Sequence, residues 1–168
     1  SGDGHYFVDV HSTIATAPVA VLRDADGKQV AEIAHADLSR LKAAGWVAPE
    51  SFTVKARDGK TDLYGQMFKP SNFDASKKYP IVTYIYPGPQ VGSVGRRGFA
   101  PARNDNQALA ELGFIVIAVD GMGTPLRSKA FQDAYYGNMA DNTLPDQVGA
   151  LKQLAAKYPW IDATRAGI

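Results

Sequence analysis

The segment "YPIVTYIYPGPQVG", residues 79–92, decides the fold because a run of β-forming residues breaks off abruptly into a proline-glycine-proline turn. The run over 81–86 is continuous and apolar, which is typical of a parallel strand covered on both faces. The stiff turn comes directly after Tyr86 at the strand's end. Such a turn has two interpretations, a phosphate cradle or the support of a hydrogen-bond donor aimed at reaction chemistry.

The residues after this segment continue an alternation of helices and strands. The pattern predicts a helix over 104–113, a strand over 114–120, a helix over 144–158 and the start of a third buried strand over 162–168. In the second helix the predicted inner face consists of apolar residues at helical spacing: Val148, Leu151, Leu154 and Ala155. A strand–helix–strand series predicts a parallel sheet with right-handed crossovers.

Antiparallel hairpins precede this series. The stretch over 51–70 predicts two strands around Asp58-Gly59, and together with the parallel strands it predicts a mixed sheet. Residues 1–48 differ in character, with short strands around Asp26-Gly27 and a short helix, which are pieces that need neighbours to pair with. The sequence therefore divides into 1–48 and 49–168.

Composition excludes several classes of function. The 168 residues contain 45% apolar and 21% charged residues, with 18 Lys and Arg against 17 Asp and Glu, so neither a nucleic-acid nor a membrane-surface partner is expected. The longest strongly apolar stretch, over 112–119, is far shorter than the roughly 20 residues of a membrane helix. With no cysteine, disulfides and thiolate chemistry are excluded. His5, His11 and His35 have no ligand partner at metal-binding spacing, so no metal or cofactor is expected.

The glycine-rich loop after residue 86 does not fit the usual phosphate-binding or nucleophile motifs. Its glycines are spaced by four, three and three residues, and no lysine follows them, which argues against a nucleotide site. The segment "VGSVG", residues 91–95, lacks the first glycine of G-x-S-x-G, so Ser93 is interpreted as a loop serine.

Two residues at strand ends remain as candidates. Asp120 follows the strand over 114–120, where functional groups gather in open α/β sheets, but it also suits a turn before Gly121. Tyr86 could donate a hydrogen bond into a crevice, or it could be a core tyrosine with a satisfied hydroxyl. The residues alone leave both alternatives open.

Three longer segments together carry a family resemblance. "KKYPIVTYIYPGPQ", "LGFIVIAVDGMGT" and "YYGN…LPDQVGALKQLAAKYPWIDATRAGI" resemble the catalytic domain of the prolyl oligopeptidase family, most closely its dipeptidyl peptidase IV branch. The resemblance implies an α/β fold, the N-terminal part of an α/β-hydrolase mixed sheet. "SGDGHYFVDVHST" looks like the end of that family's β-propeller, so 1–48 would be a short propeller remnant with a linker helix.

The resemblance also implies a function. The tyrosine of the family's "Y-x-G-P" turn gives its hydroxyl to the oxyanion hole, and the matching residue is Tyr86 in "YPGP". The family's Ser, Asp and His follow in that order downstream of this segment. Met122 stands where the family usually has an arginine, so no role of that arginine is carried over. We therefore expect a fragment of a serine exopeptidase that releases N-terminal dipeptides after Pro or Ala, inactive by itself.

The expected partners depend on that interpretation. They are a peptide substrate, the remaining half of the catalytic domain and the β-propeller, with a homodimer as a further expectation and a periplasmic or extracytoplasmic location. Two alternatives stay open: an acyl-peptide or carboxylester hydrolase on the same scaffold, and a non-catalytic binding or scaffold domain. A G-x-S-x-G in the next encoded residues would favour the peptidase.

Overall fold

The structure is a computed structural model that describes residues 2–86, 88–141 and 143–168. These residues contain eight strands and four α-helices. The chain divides into two units. One consists of the residues up to Ala48 together with Arg96–Pro101, and the other of Pro49–Gly95 together with Ala102–Ile168. Apart from Val21, every buried apolar residue among those described belongs to the second unit.

The first unit contains a three-stranded antiparallel sheet. Its strands are β1 (Tyr6–His11), β2 (Val19–Asp24) and β3 (Gln29–His35), in that spatial order, followed by the short helix α1 (Ser39–Ala43). The predicted hairpin between β2 and β3 is confirmed, and Gly27 supplies a positive φ of 82° at its turn. That this sheet is a propeller remnant stays a prediction.

The second unit is built on a five-stranded mixed sheet. Its strands are β4 (Glu50–Lys55), β5 (Asp62–Phe68), β6 (Tyr79–Tyr84), β7 (Ile115–Val119) and β8 (Ile161–Gly167), and their spatial order is β4-β5-β7-β6-β8. Pairing is antiparallel from β4 through β5 to β7, and parallel between β7 and β6 and between β6 and β8. The predicted mixed α/β sheet is thus confirmed.

Three further helices connect these strands: α2 (Asn106–Glu111), α3 (Lys129–Gln132) and α4 (Leu144–Lys157). The predicted end of α2 is confirmed by Gly113, which has a φ of 96°. The sequence predicts Asn104 or Asp105 as the cap of α2; Asp105 occupies the N-cap position but its side chain makes no capping hydrogen bond, and the Asn104 side chain donates to the Tyr84 hydroxyl at 3.1 Å.

The predicted inner face of α4 is partly wrong. Leu154 is buried as expected, but Val148 is 43% exposed. The buried face instead begins with two polar residues, Asp146 and Gln147. The Gln147 amide donates to the Val119 carbonyl at 3.0 Å, so polar contacts with the end of β7 set the rotation of the helix. Periodicity of apolar residues alone could not detect this.

Helices cover both faces of the sheet. On one face the core includes Met67, Ile81 and Leu154, and on the other Phe68 packs with Ala110 of α2. β6 alternates between buried and half-buried positions, so it is less covered than predicted on the face of α2, where Val82 and Tyr84 are only partly buried. β8 is a strand as predicted, but it is exposed after its first two residues. No helix in the described part of the chain is long and apolar enough to span a bilayer.

Candidate functional site

Tyr86 lies just beyond β6. The strand ends at Tyr84, which pairs with Ala118 of β7, so the prediction that Tyr86 ends the strand is wrong by two residues. Beyond that pair, the Tyr86 backbone N–H donates to the Ser93 Oγ at 3.0 Å and not to a neighbouring strand. The residue is 49% exposed and is not a sealed core tyrosine. Pro87 of the predicted turn lies outside the described residues.

The sheet topology places Tyr86 at a switch point. β6 lies between β7 and β8 and is parallel to both; the connection from β6 runs to β7 on one side, and the next connection, from β7, crosses back past β6 to β8 on the other side. The helices of these connections, α2 and α4, lie on opposite faces of the sheet. In open α/β sheets a crevice forms beyond the carboxyl ends of strands at such a point, and ligands bind there.

The loop over 88–95 is fixed by side chains at three places. Ser93, which is buried, accepts the Tyr86 N–H. Asp120, directly after β7, accepts the Val94 N–H through Oδ1 at 2.9 Å. The Gln132 amide of α3 donates to the Pro89 carbonyl at 2.8 Å. Structural hydrogen bonds therefore set the course of this loop.

These bonds argue against the phosphate-cradle interpretation. A phosphate cradle needs backbone N–H groups that point at the ligand. Here the N–H groups of Tyr86 and Val94 are already donated to protein oxygens, and the second acceptor is a carboxylate that would repel an anion. The sequence leaves the role of Asp120 open; in the structure its carboxylate stabilises the loop over 88–95 by accepting the Val94 N–H.

The loop after β7 depends on glycine for close packing. A Cβ at Gly121 would lie 2.7 Å from the Thr143 Cβ, so α4 could not approach as closely with any other residue there. Gly123 has a φ of 104°, and a Cβ there would lie 2.7 Å from the Tyr135 side chain. Met122, between these two glycines, donates its backbone N–H to the Asp146 Oδ2 at 2.7 Å.

Asp146 is the centre of a buried ionic network that the sequence analysis missed. Its carboxylate is fully buried and accepts from Arg57 three times, from the backbone N–H at 2.8 Å, from Nε at 3.1 Å and from Nη2 at 3.0 Å. Arg57 also donates to Asp141 at 2.6 Å. The hydrogen bond to Asp146 raises the pKa of the Arg57 guanidinium above its usual value. Arg57 and Asp146 are 89 residues apart, so no local pattern links them.

The three histidines lie away from Tyr86 in the chain, all in the first unit. His5, His11 and His35 are exposed, and each contacts a carboxylate close in sequence, within 2.8 to 3.4 Å. Within 2–86, 88–141 and 143–168, no three His, Asp or Glu side chains are grouped so as to hold a metal ion. The described site therefore consists of a potential hydrogen-bond donor, Tyr86, and its supports.

Comparisons with known proteins agree with this architecture. Residues 102–168 match the model of the prolyl oligopeptidase family. Human dipeptidyl peptidase 8 is 37% identical over 123 residues, which are 73% of this chain and 14% of that protein. The chain thus spans about a seventh of the length of that curated relative.

Solved structures extend the similarity to nearly the whole chain. A protein from Bacteroides ovatus, provisionally named a dipeptidyl aminopeptidase IV, matches with a TM-score of 0.86 and 30% identity over 99% of this chain and 24% of its own. Porphyromonas gingivalis dipeptidyl peptidase 4 matches with a TM-score of 0.80 and 26% identity over 100% of this chain and 24% of its own. The chain belongs to the prolyl oligopeptidase family and is similar to the dipeptidyl peptidases within it.

Proposed function

We propose that this chain supplies the oxyanion-stabilising part of a serine dipeptidyl peptidase, and that Tyr86 is the residue that carries it. The observation that supports the proposal most strongly is the placement of a half-exposed tyrosine beyond β6, at the switch point of the sheet, with its backbone fixed by Ser93. The names of the similar proteins support the choice of dipeptidyl peptidase chemistry.

In the proposed mechanism a serine attacks the carbonyl carbon of the scissile peptide bond. A histidine takes the serine's proton, an aspartate orients the histidine, and negative charge develops on the carbonyl oxygen. The Tyr86 hydroxyl donates a hydrogen bond to that oxygen, where a preorganised donor contributes on the order of 3 kcal/mol. The Tyr86 backbone N–H is donated to Ser93, so the hydroxyl is the donor that this residue offers to the substrate in the proposed mechanism.

The serine, aspartate and histidine are proposed to come from residues beyond these 168, because the chain spans only 14% to 24% of the similar proteins. The proposed substrates are peptides with a free N-terminus, cleaved after a second-position Pro or Ala. The proposed partners are a β-propeller and the rest of the catalytic domain, in an extracytoplasmic protein that forms homodimers.

The test compares the 168-residue chain with the longer polypeptide that we propose contains it. We expect the longer protein to release p-nitroaniline from Gly-Pro-p-nitroanilide, and the 168 residues alone to release none. Activity of the longer protein on acyl-peptide or p-nitrophenyl ester substrates, without release of dipeptides, would contradict the proposal in favour of an acyl hydrolase. Absence of any hydrolysis would contradict it in favour of a binding domain.

A further inference from the structure

We propose that Ser93 and Asp120 are positioning residues that fix Tyr86 for catalysis. This inference rests on the proposed function of Tyr86 and extends it to two side chains that are not expected to touch the substrate. The need for support arises because the pairing of β6 with β7 ends at Tyr84, two residues before Tyr86. Without another anchor, the backbone at Tyr86 would lie outside the sheet's hydrogen bonds.

Ser93 supplies the first anchor. It is 5% exposed, and its hydroxyl oxygen accepts the Tyr86 N–H at 3.0 Å across seven residues of loop. A buried serine whose oxygen is bonded to the backbone is poorly placed as a nucleophile, which agrees with the missing glycine in "VGSVG". Its bond instead restricts the direction in which the Tyr86 side chain leaves the backbone.

Asp120 supplies the second anchor, and it is itself held by the sheet. Its backbone N–H donates to the Tyr64 carbonyl at 3.2 Å, which extends the pairing of β7 with β5 by one residue. Its Oδ1 accepts the N–H of Val94, the residue after Ser93, at 2.9 Å. The hydrogen bonds therefore connect the fully buried strand β7 to Asp120, then to the loop at Val94, and through Ser93 to Tyr86.

Gly92 makes this arrangement possible. A Cβ there would lie 2.3 Å from the Asp120 Oδ1 and 2.8 Å from its Cγ, so any side chain would push the carboxylate away from Val94. Gly92 does not have a positive φ, so the backbone conformation does not require glycine there. Glycine is required because a side chain would collide with Asp120. Residues 92 and 94 thus serve the contact with Asp120, and Ser93 between them accepts the Tyr86 N–H.

The first experiment is a double-mutant cycle in the longer active polypeptide. We expect Ser93→Ala to lower kcat about 10-fold with little change in KM, because a misplaced donor loses transition-state stabilisation while ground-state binding is kept. In a Tyr86→Phe background the same change should lower kcat less than about 2-fold, since the hydroxyl to be positioned is absent. Ser71→Ala is the matched control: it removes a hydroxyl that donates to Glu111 at 2.8 Å and should leave kcat unchanged.

The second experiment separates the geometry of Asp120 from its charge. Asp120→Asn keeps an oxygen that can accept the Val94 N–H and should retain kcat within about 3-fold, whereas Asp120→Ala should lower it about 10-fold. Equal losses in both variants would overturn the positioning role of Asp120 in favour of an electrostatic one.

The outcomes distinguish this inference from the proposed function. If Tyr86→Phe has no effect on kcat, both are overturned. If Tyr86→Phe abolishes most activity but Ser93→Ala loses the same factor with or without the Tyr86 hydroxyl, only the inference is overturned. In the longer polypeptide, Ser93→Ala should also speed hydrogen exchange of the Tyr86 amide at least about 10-fold, and an unchanged rate would count against the inference.

Discussion

The loops after the neighbouring parallel strands β6 and β7 are held in place in different ways. The loop after β7 is fixed by the fully buried Asp146, a charged acceptor for both Met122 and Arg57. The loop after β6 is held by single bonds at Ser93, Val94 and Pro89, and it begins beyond the half-exposed Tyr86. The two strands are alike in their apolar sequence, so the difference lies in the polar contacts of their loops.

The comparison indicates a division of roles between stability and chemistry. A buried carboxylate with a guanidinium partner is costly to disrupt, because the remaining charge and donors are left without an acceptor. Single bonds to a loop serine contribute less to folding, but they determine where one side chain points. Substitutions in the two loops should therefore separate stability from kcat.

Among substitutions in the two loops and their supports, the largest expected effect is the loss of stability in Asp146→Ala. The change removes the acceptor of Met122 and Arg57, and we expect the free energy of unfolding to fall by about 3 kcal/mol, at the lower end for a broken buried pair because Arg57 keeps Asp141. Denaturant unfolding followed by tryptophan fluorescence measures this change.

The matched control for this change is an exposed ion pair. Asp133→Ala removes the partner of Lys129, at 2.5 Å within one helical turn, and should change stability by less than about 1 kcal/mol. If both substitutions had the same effect, the buried network would not be the main support of the loop after β7.

The second effect in size is a loss of kcat in Gly92→Ala. The new Cβ would displace the Asp120 carboxylate from Val94, and we expect kcat of the longer protein to fall about 10-fold while its unfolding midpoint changes little. Gly149→Ala is the control, because it adds a methyl group to α4 with only the Gln153 amide as near as 4.0 Å. It should leave kcat unchanged and raise stability by about 0.5 kcal/mol.

The smallest expected effect is a shift in the pKa of Asp58, an exposed residue that follows Arg57 in the chain. The Thr61 hydroxyl and backbone N–H groups lower the pKa of Asp58 from 3.8 to about 2. Since the pKa is lowered by folding, the stabilisation is complete above pH 3.8 and is lost as the pH falls through about 2. An NMR titration of the Asp58 carboxyl should have its midpoint near 2 and should move toward 3.8 in Thr61→Val; a midpoint unaffected by that change would exclude Thr61 as the cause.

Much of the fold could be predicted from the sequence because its signals are local. The hairpin at Asp58-Gly59, the helix end at Gly113 and the apolar run of β7 each depend on residues close in the chain. The mixed sheet could be inferred from their order. The burial of Asp146 could not be predicted, because its partner Arg57 lies in a distant hairpin and the apolar periodicity of α4 favoured Val148.

The candidate site could be predicted only in part. The stiff turn and the family resemblance point to Tyr86, and its role stays a prediction. The sequence pattern favours an ordinary loop serine at Ser93, because its bond to the Tyr86 N–H depends on how the loop folds back. Asp120 had two open interpretations, and its contact with Val94 needs the space that Gly92 leaves.

The central claim is tested most directly by the kinetics of Tyr86→Phe in the longer polypeptide. Tyr84→Phe is the matched control, since it removes a hydroxyl two residues away that accepts from Asn104. The account predicts a roughly 100- to 1000-fold lower kcat for Tyr86→Phe with KM nearly unchanged, and a change of less than about 3-fold for Tyr84→Phe. A Tyr86→Phe enzyme with the kcat of the unmodified protein would contradict it.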